Sequence, residues 1–210
     1  MIYNTSQSDI KPIGAKELKL KLNQNSLLID IRYISSIFSL GSIPSALYIG
    51  IQGNMEWWAH LLITDKSADI YILAEENTDY NELYNRFQRV GFNNIKGYLE
   101  GGFESWVSEG FEIESYNFIH PSDFIQQFES IDKPSIIDVR TEKEFQNQYI
   151  DGSLNLPLDN LLNTISTLDI NKQYYMLCQG GYRSIIAASI LKRNMIHHTI
   201  DVYGGLKNFS

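Results

Sequence analysis

The sequence predicts an α/β protein made of two similar units, each a mainly parallel sheet flanked by helices. Three observations predict it. The order of signals in residues 1–115 returns in residues 116–210 at an offset of roughly 103 to 108 positions, a period that fits duplicated domains rather than a short solenoid repeat. Within each copy, short apolar runs alternate with stretches whose apolar residues recur at helical spacing. Alternation of this kind builds a parallel sheet covered by helices. A chain of 210 residues, 43% hydrophobic and 20% charged, has the length for one large or two small domains, and the duplication selects two.

The matched elements follow one another along the chain. Ser26-Leu27-Leu28-Ile29-Asp30-Ile31-Arg32 corresponds to Pro134-Ser135-Ile136-Ile137-Asp138-Val139-Arg140, each an apolar strand that ends in acid, apolar residue, arginine. A turn into a second strand comes next, Gly41 to Ile49 in the first copy and Gln148 to Pro157 in the second. The third strand is Ala68 to Ala74 against Lys172 to Cys178, and a helix over Asn81 to Val90 or Ser184 to Arg193 follows it. Both copies close on an apolar strand and a glycine pair, Gly101-Gly102 and Gly204-Gly205. The join falls near Glu114 to Phe118, before His120-Pro121-Ser122-Asp123 starts a new helix.

Composition narrows the function classes. Net charge is −8 and no basic cluster occurs, so neither nucleic acid nor an anionic membrane is an expected partner. No apolar stretch approaches the roughly 20 residues of a membrane span, and Met1 to Asp9 lacks the basic and apolar parts of a signal peptide. The single cysteine cannot form an internal disulfide. A cytoplasmic location is expected.

That cysteine is the most informative residue. It opens Cys178-Gln179-Gly180-Gly181-Tyr182-Arg183-Ser184, between the apolar run Tyr174 to Leu177 and a helix. In parallel sheets ligands collect at the carboxyl ends of strands. A sulfur there meets loop N–H groups and the positive end of a helix dipole, which favour the thiolate. A lone cysteine is more often a buried structural residue; the glycines on one side and Arg183 on the other argue for chemistry.

These residues carry a family resemblance. The Asp138-Val139-Arg140 strand end, Tyr149-Ile150-Asp151-Gly152-Ser153-Leu154-Asn155-Leu156-Pro157, the cysteine loop and Tyr203-Gly204-Gly205-Leu206 together resemble rhodanese, the sulfurtransferase fold, over about residues 119–210. Residues 13–113 resemble the same fold more weakly. The implied organisation is a tandem protein with a non-catalytic copy at 1–115 and a catalytic copy at 116–210. In the first copy Ala74 stands where Cys178 stands in the second, followed by Glu75-Glu76-Asn77-Thr78-Asp79, whose carboxylates would repel an anionic donor. The chain stops at Phe209-Ser210, inside the helix that normally follows the glycine pair, so either this domain ends early or the chain is truncated.

The resemblance implies a sulfurtransferase that uses a Cys178 persulfide and neither a metal nor an organic cofactor. The donor would be thiosulfate or a low-molecular-weight persulfide, the acceptor a thiol, cyanide or a sulfur-relay protein. Gln179, Gly180, Gly181, Tyr182 and Ser184 form the substrate-binding loop in this reading, and Arg183 either docks the donor or braces the loop. Three alternatives stay open. Such pairs also occur as tails of persulfide dioxygenases, although His60, His120, His197 and His198 form no dinuclear metal motif. A second alternative is a non-enzymatic sulfur-carrying or interaction module. The third, a rhodanese-fold phosphatase or arsenate reductase, places five residues between Cys and Arg, where this loop has the four from Gln179 to Tyr182. Asp138 and Arg140 read as structural, because Asp30 and Arg32 persist in the copy without cysteine. Trp57, Trp58 and Trp106 read as packing residues, and His197-His198 as a surface turn.

Overall fold

A computed structural model describes residues 10–23, 25–132 and 135–209. Met1 to Asp9, Pro134 and Ser210, all used in the sequence reading, lie outside the described residues. In order, the first half contains β1 (Lys11–Ile13), α1 (Ala15–Lys21), β2 (Ser26–Asp30), α2 (Ile34–Leu40), β3 (Leu47–Tyr48), α3 (Met55–Leu62), β4 (Asp69–Leu73), α4 (Tyr80–Arg89), β5 (Ile95–Leu99) and α5 (Gly102–Ser108). The second contains β6 (Asn117–Ile119), α6 (Pro121–Gln127), β7 (Ile136–Asp138), α7 (Glu142–Asn147), β8 (Leu154–Asn155), α8 (Leu161–Thr164), β9 (Tyr174–Leu177), α9 (Tyr182–Arg193) and β10 (Thr199–Val202), closed by a 3-10 turn at Leu206–Phe209.

Each half builds one five-stranded sheet, and the two orders are the same: β1-β5-β4-β2-β3 and β6-β10-β9-β7-β8. The pairings β2/β4, β4/β5, β7/β9 and β9/β10 are all parallel. The fold class read from the duplication is the one observed. Compact packing draws a different line from the repeat: Ile49–Ile113 pack with the residues up to Tyr33, and Ile34–Tyr48 pack with the residues from Glu114 on. In this second unit Ser42 and Glu114 exchange backbone hydrogen bonds of 2.9 and 2.8 Å. The Tyr48 N–H donates to Ser189 Oγ at 3.1 Å, and Arg193 donates to the Ser45 carbonyl.

In the second unit alternation along the strands sorts the side chains. Ile136, Tyr175, Leu177 and Val202 pack with Phe124, Ile131 and Leu206 on one face, and Ile200 packs against the same cluster. Successive side chains on a strand point to opposite faces, so Asp201 and Met176, paired in register, face the other way. That is the side covered by α9, which is apolar on most of its surface and buried from Ser184 through Lys192.

The α9 helix begins two residues before the expected start at Ser184. Gly181, at φ 89°, is its N-cap, a left-handed conformation that glycine adopts without a Cβ penalty; the chain can then turn into the helix at Tyr182, which puts Arg183 in the first turn. The tryptophan reading needs a correction. Trp106 is buried, but Trp57 is 59% exposed on α3, because Met55, Ala59 and Leu62 form the inward stripe of that helix and Trp57 falls off it. His197 and His198 are exposed between α9 and β10, as expected.

Candidate functional site

Cys178 follows directly on β9, at the carboxyl end of the sheet, and is 1% exposed. The Gly181 N–H donates to its Sγ at 3.1 Å. The thiol in turn donates to Ser184 Oγ at 3.5 Å, and that hydroxyl donates to the Gly181 carbonyl at 3.1 Å. The sulfur thus sits at the amino end of a twelve-residue helix, where a backbone N–H and the helix dipole favour an anion. Above it, Gln179 and Gly180 are exposed, Tyr182 and Arg183 half-buried.

The glycine pair after β10 underpins the loop. Leu206 N–H donates to the Cys178 carbonyl at 2.9 Å and Lys207 N–H to the Gln179 carbonyl at 3.2 Å. Gly205, at φ +65°, lies so close that a Cβ on it would come within 2.3 Å of the Cys178 carbonyl oxygen. Only glycine permits that approach. The first copy keeps the left-handed glycine but not the close approach: a Cβ on Gly102, at φ +57°, would meet the Ala74 carbonyl oxygen at 3.6 Å, an ordinary contact.

The acid–arginine strand end braces the same loop. Arg140 Nε and Nη2 reach the Asp138 carboxylate at 3.0 and 2.6 Å. Its Nη2 also donates to the Gln148 carbonyl at 2.5 Å, and its Nη1 to Gln179 Oε1 at 3.4 Å. Both residues are at most 2% exposed, so the pair is a buried tie between strand end, turn and loop. Asp30 and Arg32 repeat it at 2.6 Å, with the guanidinium over the Phe103 ring.

Arg183 does not point into open solvent. Its Nη1 and Nη2 each donate to Glu144 at 2.7 Å, a bidentate pair of the stronger kind. Hydrogen bonding from Arg183 holds the Glu144 carboxyl down at about 2, and the same bond, with the Cys178 sulfur and Asp138 adding negative charge nearby, raises the Arg183 guanidinium. Glu144 is itself placed by a capping box with Thr141 at the start of α7. The sequence reading missed Glu144, although Thr141 and Glu144, three apart and directly after the Asp138-Val139-Arg140 strand end, carry the signal of such a box. It also missed Lys207, whose Nζ would lie 3.8 Å from a Cβ at Gly180, and Asp201, a buried acid on β10.

The matching region of the first copy has another character. Glu75, Glu76, Asp79 and Glu82 line a cavity of about 530 Å³ with Tyr33 and Arg86. Glu75 accepts the Tyr33 N–H at 3.0 Å, Asp79 caps α4, and Arg86 pairs with Glu56 at 2.6 Å. A methyl group, that of Ala74, stands where the second copy places its thiol, and carboxylates line the loop that follows it. Among the described residues no three His, Cys, Asp or Glu side chains group so as to hold a metal ion, and no helix is long and apolar enough to cross a membrane.

Comparison with known proteins places these features. A family profile described as the rhodanese-like domain matches residues 14–109 and again 121–210. The chain is similar to the putative sulfur carrier protein YrkF of Bacillus subtilis (strain 168), with 29% identity over 87 residues, 41% of this chain and 47% of that one. It spans about half the length of that relative. It is also similar to the thiosulfate sulfurtransferase PspE of Escherichia coli (strain K12), 32% identical over 76 residues, 35% of this chain and 72% of PspE. Among solved structures, a rhodanese-like domain protein from Staphylococcus aureus matches at 26% identity and a TM-score of 0.42, over 45% of this chain and 91% of that one.

Proposed function

The chain belongs to the rhodanese-like domain family, twice over, and from that membership we propose that its second copy is a sulfurtransferase working through a persulfide on Cys178, while the first is non-catalytic. The observation that carries the proposal is the Gly181 N–H on Cys178 Sγ at the amino end of α9. The thiolate attacks the outer sulfur of thiosulfate; a new S–S bond forms, the old one breaks, and sulfite leaves with its electron pair. Cys178 then carries Cys–S–S⁻, and cyanide or an acceptor thiolate takes the outer sulfur and returns the Cys178 thiolate. This is nucleophilic covalent catalysis, with loop amides stabilising the anion as an oxyanion hole does. A low-molecular-weight persulfide serves as donor by the same exchange, with a thiolate as leaving group.

Gln179, Gly180, Gly181, Tyr182 and Ser184 form the loop in this reading. The bidentate bond to Glu144 favours Arg183 as a fixed charge beside the loop, oriented by Glu144, over a side chain that reaches out for the donor. Four residues between Cys178 and Arg183 make a ring small for a tetrahedral oxyanion, which favours sulfur over phosphate. Similarity to a sulfur carrier and to a thiosulfate sulfurtransferase supports the reaction class. Whether the copy works as an enzyme or as a carrier to a relay protein is decided by turnover.

The test is incubation with thiosulfate or glutathione persulfide, followed by intact mass and cyanide-dependent thiocyanate release, with Cys178→Ser as control. The reading requires added mass of one sulfur atom and thiocyanate, both absent from the variant. Added sulfur with no turnover makes the copy a carrier. No added sulfur, or phosphate release from an aryl phosphate at a comparable rate, overturns the reading.

A further inference from the structure

Asp201 is a carboxylic acid in the middle of β10, 1% exposed; among the described residues neither of its oxygens makes a hydrogen bond of good geometry, and the Ser184 hydroxyl is the hydrogen-bonding group that acts on it. A buried ionised carboxylate without a partner is costly, and such a group takes up a proton instead. Burial pushes the Asp201 carboxyl up to about 7; the hydroxyl of Ser184 is the polar group that acts on it, in the opposite direction. Ser184 is fully buried, and it is the residue whose Oγ accepts from the Cys178 thiol at 3.5 Å. Asp201 shares the α9-covered face of the sheet with Met176, its register partner, two residues before Cys178.

A hydroxyl has one proton to give and two lone pairs to receive with. With Cys178 as a thiol, the Ser184 proton goes to the Gly181 carbonyl. Once the sulfur is an anion, the hydroxyl gains by turning to it, and a protonated Asp201 can then donate into the Ser184 oxygen. An ionised Asp201 does the reverse: it competes for the one Ser184 proton and sets a like charge near the sulfur. The other ionisable groups around it are engaged elsewhere or face away. On α9, Arg183 is bound to Glu144, Lys192 to Glu114 and the His197 carbonyl, and Arg193 to the Ser45 carbonyl; Tyr182 is at the rim in the first turn. On β9, the Tyr174 hydroxyl takes the Asp169 N–H and Tyr175 lies on the opposite face. Lys207 stands by Gly180, and β6 carries no ionisable side chain.

We propose that Asp201, in its protonated form, is a positioning residue that keeps the Ser184 hydroxyl available to the sulfur anion on Cys178, and that its ionisation withdraws that support. The proposal rests on Cys178 being the sulfur-carrying nucleophile. It makes the anion-holding capacity of the loop fall as pH rises through neutrality, opposite in direction to simple ionisation of the thiol.

The experiment is iodoacetamide alkylation of Cys178 in the full chain, as wild type, Asp201→Asn, Ser184→Ala and the double variant. Asn keeps a neutral donor at position 201 at every pH. The Asp201→Asn to wild-type rate ratio is expected near one at about pH 5.5 and to rise about tenfold by about pH 8.5, as acid ionises only in the wild type. In the Ser184→Ala background the ratio is expected to stay flat. Superimposable wild-type and Asp201→Asn profiles overturn the proposal, and so does a ratio that survives loss of the Ser184 hydroxyl. A measurement on unmutated protein guards against misfolded variants: the carboxyl ¹³C resonance of Asp201 should titrate near neutrality and move when Cys178 is carboxamidomethylated. A resonance that titrates with the ordinary carboxylates, or ignores the alkylation, overturns it as well. Failure of sulfur loading with the alkylation ratio intact counts against the transferase reading and leaves the Asp201–Ser184–Cys178 coupling standing.

Discussion

Replacement of Asp201 by Asn should change how stability depends on pH, and the size of the change can be worked from burial. Folding raises this carboxyl from 3.8 to about 7. The folded chain therefore binds the proton more tightly than the unfolded chain, so the contribution is fully present below 3.8 and is lost as pH rises through about 7. That difference corresponds to about 4 kcal/mol once both states are ionised, and full burial means solvent screening does not reduce it. Asn has a packing cost of its own, independent of pH, so the informative quantity is the gap between the two proteins at different pH. Urea unfolding of wild type and Asp201→Asn, at about pH 4 and about pH 8, should show that gap moving by about 4 kcal/mol in favour of the variant at the higher pH, with unchanged m-values. Every other titrating group is common to both and cancels. A gap that stays constant within about 0.5 kcal/mol would refute the reasoning, since it would mean that Asp201 titrates alike in the folded and unfolded chain.

Other perturbations read other parts of the site. Gly205→Ala forces a Cβ against the Cys178 carbonyl at a left-handed φ; a loss of about 2–4 kcal/mol in chemical denaturation is expected, with sulfur loading reduced even where the protein stays folded. Asp138→Asn leaves Arg140 as a buried cation facing an amide, and about 3–5 kcal/mol should be lost in the same assay. Glu144→Gln weakens the bidentate hold on Arg183; the KM for thiosulfate should change while the fold, followed by circular dichroism, does not. In the wild type that hold depends on a carboxyl lowered to about 2, so it persists above the ordinary value of 4.5 and weakens as pH falls toward 2. Ala74→Cys restores a thiol to the first copy, and in a Cys178→Ser background it should take up no sulfur from thiosulfate by intact mass, because Glu75, Glu76 and Asp79 follow it in the loop and repel the anionic donor.

Much of the site was readable before any coordinate. The strands β4 and β9, the glycine pairs and the strand-end acid and arginine are visible because each is local: a short continuous apolar run buried on both faces, a turn that only glycine can make, a fixed spacing repeated twice. The tie between strand end and loop expected from the shared pattern Asp30/Arg32 and Asp138/Arg140 is seen in the bonds from Arg140 to Asp138, Gln148 and Gln179. Apolar periodicity marks the buried stretch of a helix and so puts the start of α9 at Ser184, two residues late, because the first turn, Tyr182-Arg183, is half-buried. Bulk and apolarity do not say which side of a helix a residue takes, which is why Trp57 is exposed where its composition predicts packing.

By itself the sequence determined the duplication, the α/β class, the one copy that holds a thiol, and the helix amino end beside it. These depend on residues close together in the chain or on comparison of one half with the other. The tertiary structure alone decided what those residues face. Arg183 meets Glu144 across 39 positions, Gly205 lies against the Cys178 carbonyl, and Asp201 is shut into the core on the side of the sheet that α9 covers. Partners of this kind are brought together by packing of strand, loop and helix from separate stretches of chain, and no spacing in the sequence encodes the distance between them.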